Sequence, residues 1–271
     1  MSQTPSNFAW GDLWRGRRYV VCGAGHGMGL ATARALADAG AHVLVHALRD
    51  ASVQAAVKQL SERASPAQKI AGCAADLSTP DGAARVAAAA QEAFGRLHGW
   101  VANTGGPPPG KALELSDAHW QQAFDGTFLA VVRMLRAAAP LLEPGAAFVS
   151  IQSRSVREPI ESLSTSNALR AAAAAFLRDA GRELGGRGVR VLAVLPGMVT
   201  TERLAELSEH RARELGVAPE EIHRTWAAQA PLGRLATPEE LARVILVALS
   251  DVAGYMTGTT LLVDGGTSRA G

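Results

Sequence analysis

Little in this chain points to an oxidising compartment, a metal or a nucleic acid. Only two of its 271 residues are cysteine, Cys22 and Cys73. Neither has a partner at metal-ligand spacing, and two thiols make no disulfide framework, so a reduced cytoplasmic setting is expected. Aromatic residues are 5% of the total, too few for a surface of stacked bases. Charges of both signs are mixed and sum to +2, which argues against nucleic acid or a membrane surface as partner. No apolar run reaches the roughly 18 residues of a membrane span. The opening stretch MSQTPSNFAWGDLWRGRR lacks the apolar segment of a signal peptide. Tyrosine occurs only as Tyr19 and Tyr255.

What the chain does have is apolar material, 48% of its residues and much of it alanine, enough for one wide α/β domain. Residues 1–16 read as a leader packed on the domain edge, and 17–271 as the domain itself. Short apolar runs at 19–22, 41–46, 71–76, 99–103, 146–151, 189–195 and 260–264 read as strands. Alanine-rich segments of helical period separate them. This alternation predicts a Rossmann-type doubly wound parallel sheet between two helix layers, in a single domain. The charged segment 198–230, between Pro196 and Pro231, breaks the alternation and is expected to fold as a helical lid beyond a strand end.

The run Gly23-Ala24-Gly25-His26-Gly27-Met28-Gly29 follows the first strand and opens a helix. Glycine allows a tight turn and close approach of backbone to a pyrophosphate. The helix N-terminus adds free N–H groups and a positive dipole end. An acid after the second strand would hold a free ribose 2′-hydroxyl. That place is Ala47, and Arg49 beyond it suits a 2′-phosphate, with His26 as a further donor. NADP(H) is therefore favoured over NAD(H), although Asp50 keeps NAD(H) open.

Further motifs stand in order along the chain. They are Asp76-Leu77 after the third strand, Asn103-Thr104-Gly105 after the fourth, and Pro196-Gly197-Met198-Val199-Thr200-Thr201. Near the C-terminus come Pro231-Leu232-Gly233-Arg234, Tyr255-Met256-Thr257-Gly258 and Val263-Asp264-Gly265-Gly266. With the glycine loop, this set resembles the short-chain dehydrogenase/reductase family, in particular its 3-oxoacyl-carrier-protein reductase type. The resemblance runs from about Arg17 to Gly266. It implies a nicotinamide cofactor and a homotetramer or homodimer acting on a small molecule. It also implies that Asp76 and Leu77 hold the adenine, while Asn103, Gly105, Pro196, Gly197, Val199 and Thr201 line the cofactor site.

The resemblance fails where the family does its chemistry. The family's catalytic serine maps onto Ser153, but its tyrosine maps onto Ser166, its lysine onto Arg170 and its helical asparagine onto Thr127. Ser166 and Arg170 keep the i, i+4 spacing of one helix face, and Arg170 would still reach the cofactor's ribose. A tyrosine beside a cation releases a proton near neutral pH; a serine hydroxyl is a far weaker acid, and arginine relays no proton. The polar groups close to Ser153 in sequence, Arg154, Arg157, Glu158 and Glu161, are expected at the solvated surface, as are His119, His210 and His223. Tyr19 is expected in the core and Tyr255 in a structural role. Three readings follow. One is an NADP(H)-dependent reductase or dehydrogenase of carbonyl or hydroxyl groups, with Ser153, Ser166, Arg170 and Thr127 in its site. The second is a cofactor-binding sensor or partner subunit without turnover. The third is redirected chemistry, such as a lyase or isomerase step.

Overall fold

The computed structural model describes residues 13–269. Strand β1 (Arg18–Val21) leads through the glycine loop into α1 (Gly27–Asp38), then β2 (His42–Ala47), α2 (Asp50–Ser61), β3 (Ile70–Ala74), α3 (Gly82–Phe94) and β4 (Leu97–Asn103). After β4 come α4 (Asp117–Ala123), a π-helical turn (Phe124–Leu129) and α5 (Ala130–Ala138) without interruption, then β5 (Leu142–Ile151). A 3-10 turn (Arg154–Val156) precedes α6 (Ser164–Gly185), β6 (Arg190–Pro196), α7 (Glu202–Leu215), α8 (Pro219–Gln229), α9 (Pro238–Leu249) and β7 (Thr259–Val263).

The seven strands form one parallel sheet in the order β3-β2-β1-β4-β5-β6-β7. Side chains alternate across a strand, so the apolar runs feed two cores. Tyr19 and Val21 join Leu36 of α1 and Ile245 of α9 on one face. Val20 and Cys22 join Val86 of α3, Met134 of α5 and Leu177 of α6 on the other. Strand order reverses between β1 and β4, and their diverging loops open a crevice at the carboxyl ends.

Most strand boundaries fall within one or two residues of expectation, and those of β3 and β5 differ in an informative way. β3 ends at Ala74 rather than at Asp76, because the Asp76 carboxylate accepts from the Ser78 backbone N–H (2.9 Å) and hydroxyl (2.6 Å). That local turn competes with a further rung of the ladder. β5 starts at Leu142, ahead of Gly145, and the pairing shifts register between Leu97 and Gly99. Part of the expected leader lies outside the described residues. Of its last residues, Leu13 and Trp14 are buried, and Trp14 Nε1 donates to Leu246 O at 3.3 Å. No helix among the described residues is long and apolar enough to cross a membrane.

Candidate active site

The glycine loop closes β1 onto α1 by backbone contact. At Gly29 an added Cβ would lie 2.1 Å from Gly23 O, and Gly23 itself has φ +59 with Asn103 packed against it. No larger residue fits either place. Asn103 Nδ2 donates to Gly23 O at 3.1 Å, so the end of β4 holds the turn. His46, at the end of β2, is a second brace that the sequence did not single out. Its Nδ1 accepts from Gly23 N at 3.3 Å, which leaves Nε2 as the proton carrier donating to Ala75 O at 2.9 Å. Burial lowers the pKa of this imidazole below 6.5 and keeps it neutral.

Around this loop lies a cleft of about 570 Å³, walled by Gly25, Ala47, Arg49, Asp76, Leu77, Asn103 and Gly105. Thr127, buried in the π-helical turn, also faces it. Arg49 stands exposed at the N-terminus of α2 and makes no ion pair among the described residues; Ser52 lies beside it in the wall. His26 also lines this cleft. Its Nδ1 is 3.5 Å from Glu202 at the start of α7, which ties it to the root of the lid.

A second cavity of about 500 Å³ adjoins the first at Gly106 and Pro107. Ser153, Ser166 and Arg170 line it together, with Met28, Pro196, Gly197, Val199 and Thr201. The lid forms as expected, as two helices, and residues of both α7 and α8 line the cavity. Arg203 Nη2 donates to Pro107 O at 3.0 Å and pins α7 to the segment after β4. Thr201 caps α7 by accepting from Leu204 N and sits against Gly27, which sets the lid's root beside the glycine loop.

The segment Ser164-Thr165-Ser166-Asn167 anchors the start of α6. Thr165 Oγ1 donates to Pro108 O at 3.2 Å, and the Asn167 side chain brackets Ile160, giving to its carbonyl at 2.9 Å and taking from its N–H at 3.1 Å. One turn on, Arg170 is 7% exposed. Its Nε donates to Ser166 Oγ at 3.2 Å, and its Nη1 donates to Ile151 O and Gln152 O at 3.3 and 3.2 Å. No carboxylate meets it among the described residues. Burial, with a smaller contribution from the Arg203 charge, brings its pKa down to about 10, so it stays a cation at neutral pH. Ser153 Oγ accepts from Ser155 N at 3.1 Å. Each serine oxygen therefore already accepts a hydrogen bond, and each hydroxyl proton is free to be given to a guest in the cavity.

Several surface expectations need correction. Arg154 is buried, at 7% exposure, because the 3-10 turn after Ser153 folds it inward beneath the lid; its Nε has no hydrogen-bond partner. His223 is half-buried, with Nε2 unpartnered, because α8 packs across the cavity. Gln152, also buried in the wall, has an unpartnered Oε1. His119, Arg157, Glu161 and His210 are exposed as expected, and Tyr19 is wholly buried in the core. Tyr255 stands fully exposed among the described residues. Neither tyrosine lines the cavity that holds Ser153 and Ser166. No motif pointed to His46, Gln152 or Asn167, since their partners are set by the sheet and by loop closure.

Residues 23–268 match the family described as Enoyl-(Acyl carrier protein) reductase. The galactitol 2-dehydrogenase (L-tagatose-forming) of Cereibacter sphaeroides is 35% identical over 256 residues, covering 91% of this chain and 93% of that one. L-Sorbose reductase from Gluconobacter frateurii, solved with NADPH and L-sorbose, superposes with a TM-score of 0.88 at 27% identity, over 94% of this chain and 98% of that one. An NADPH-bound short-chain oxidoreductase from Pseudomonas aeruginosa PAO1, containing an atypical catalytic center, superposes with a TM-score of 0.84 at 30% identity, over 94% and 98% of the two chains. On this sequence match across nearly its whole length, and on the sheet and glycine loop described above, the chain belongs to the short-chain dehydrogenase/reductase family of oxidoreductases.

Proposed function

We propose that this protein is an NADP(H)-dependent oxidoreductase of a carbonyl or hydroxyl group, in which Ser153 and Ser166 hold the substrate oxygen and Arg170 supplies positive charge. The observation that carries this reading is the hydrogen bond from buried Arg170 Nε to Ser166 Oγ. It orients the serine so that its proton points away from Arg170, and it leaves a cation behind the hydroxyl. Two hydroxyl donors backed in this way stabilise negative charge on an oxygen as an oxyanion hole does.

The first cleft fits a dinucleotide. Its loop offers backbone N–H groups at the start of α1, and glycine at 23 and 29 lets the backbone close there without a Cβ in the way. The absence of an acid at Ala47 and Arg49 at the head of α2, without an ion pair among the described residues, favour a 2′-phosphate, and the NADPH bound to the solved relatives agrees with this. Asp76 and Leu77 then face the adenine, Asn103 and Gly105 the ribose side, and Thr127 closes the wall. Bound there, the cofactor supplies or takes up hydride. Water is the proton source, because no acid replaces tyrosine; the unpartnered Gln152 Oε1 gives such a water a buried acceptor.

Fluorescence titration with NADPH and NADH, followed by ketones, 3-oxoacyl thioesters and quinones in the same cuvette, tests the proposal. NADPH should bind more tightly and be oxidised by one of these classes. Replacing Ser166 by Ala should lower kcat by about 10²-fold with little change in cofactor affinity, as loss of one oxyanion donor does. Tight binding without oxidation across the whole panel would overturn the reading in favour of a sensor or partner subunit.

A further inference from the structure

Arg154 has a place in the fold that its neighbours do not explain. It follows Ser153 directly, lines the same cavity and is 7% exposed. Its side chain forms no hydrogen bond and no ion pair among the described residues, and its Nε is sealed from solvent without a partner. Its charge acts on the Asp264 carboxylate, but the two do not reach ion-pair distance. The Asp264 oxygens are taken by the N–H groups of Gly266 at 3.0 Å and Ser268 at 2.8 Å. Its Nε has lost water without a partner, and no protein acceptor among the described residues meets its terminal nitrogens, so this largely buried cation lacks the compensation that an anion in the cavity would give.

The other charges of the cavity do not supply the missing anion. Glu161 and Glu214 both pair with Arg211, at 3.3 and 3.0 Å. Glu158 accepts from Arg269 N at 2.9 Å. Arg170 adds a second buried cation with no carboxylate, and Arg203 is near enough for the two charges to act on one another. Two buried cations, Arg154 and Arg170, thus line the cavity beside the serine hydroxyls with no carboxylate paired to either among the described residues. On the reading proposed above, the dinucleotide's phosphates would lie at the glycine loop, whose Gly23 and Gly25 wall the other cleft.

We infer that the substrate is an oxo acid, a carbonyl compound that carries its own carboxylate, and that Arg154 receives that carboxylate while Ser153 and Ser166 hold the carbonyl oxygen. The planar guanidinium matches a carboxylate in two parallel N–H···O bonds, which a neutral sugar or ketone does not offer. Because Arg154 is adjacent to Ser153 in the chain, the acid group and the reacting carbonyl must lie close together in the substrate. The inference rests on the reductase reading proposed above for the identity of the reacting group. It adds the charge of the substrate and the residue that selects it.

The test uses acetoacetate, 2-oxobutanoate and levulinate, each beside its methyl ester, added to protein saturated with NADPH. Calorimetry gives Kd and absorbance gives oxidation. At least one acid should bind about tenfold or more tightly than its ester, the loss expected when a buried charge pair goes unmade. Arg154→Gln should remove that preference while leaving NADPH affinity unchanged, and Arg154→Lys should keep part of it. Equal binding of acids and esters by the unmodified protein would overturn the inference even if the esters are reduced, and the reductase reading would then stand alone. An acid that binds with the expected preference but is never reduced would uphold the anion site and sink the reductase reading. If Arg154→Gln fails to fold, the acid-to-ester ratio of the unmodified protein and of Arg154→Lys decides. A variant that folds and weakens acid and ester alike would assign Arg154 a structural role instead.

Discussion

Ser166 and Arg170 keep one helical turn between them, and that spacing brings Arg170 Nε to the Ser166 oxygen. The substitution thus retains a polar pair with a cation but loses a group that ionises near neutrality. The sequence disclosed this pairing, since both residues sit on one element. It did not disclose Arg154 or His46, whose burial comes from a turn and a sheet edge packed by other parts of the chain. His46 carries a prediction at this scale. Burial lowers its folded pKa, so its neutral form contributes stability that is present in full above the unfolded value of 6.5. That contribution is lost as pH falls below 6.5 through the folded value, because the unfolded chain binds the proton first. Thermal unfolding between neutral pH and mild acid should show the fold and NADPH binding weakening together. His46→Gln, which can still accept from Gly23 and donate to Ala75, should show a flatter profile. An identical pH profile in the variant would exclude His46 as the group responsible.

Among the elements, α9 shows how a strand residue can finish a helix. Arg190, at the start of β6, is buried and gives Nη1 to Ala248 O and Ala253 O, and Nη2 to Leu249 O and Ser250 O, at 2.8 to 3.2 Å. It satisfies carbonyls at and beyond the C-terminus of α9 and places a cation at the negative end of the dipole. At the other end, Thr237 and Glu240 form a capping box behind Pro238. The cap could be read from the motif Thr-Pro-Glu-Glu, whereas the Arg190 contact could not, because its partners lie some sixty residues away. Arg190→Met should cost roughly 3 kcal/mol, since several buried carbonyls lose a charged donor at once. A urea titration should show a lower midpoint with an unchanged slope. A midpoint equal to that of the unmodified protein would rule out this role. Thr237→Ala should cost less, about 1 kcal/mol.

For the molecule as a whole, the lid couples the two cavities. Arg203 joins α7 to Pro107, where the cavities meet, and Thr201 and Glu202 bring the root of the same helix against Gly27 and His26. A ligand in either cavity therefore meets the same helical unit. Arg203→Ala should speed amide hydrogen exchange across α7 and α8 while the sheet stays protected. It should also raise KM by roughly tenfold, the equivalent of one lost charge-assisted hydrogen bond. Exchange unchanged in the lid would show that Arg203 does not hold it closed.

Strand and helix order, the parallel sheet, the glycine loop, the lid segment and the placing of Ser153, Ser166 and Arg170 were all legible in the linear chain. Hydrophobic period, turn chemistry and helical spacing are local properties, and a few adjacent residues suffice to state them. Burial and hydrogen-bond partnership are not local. Asn103 reaches Gly23 across 80 residues, and Arg170 reaches Ile151 on another element. Only the closed fold decided that Arg154 lies inside rather than in water, that His46 is neutral with its proton on Nε2, and that two buried cations line the cavity beside the serines. Each of these depends on how much water the packed chain excludes from a charge.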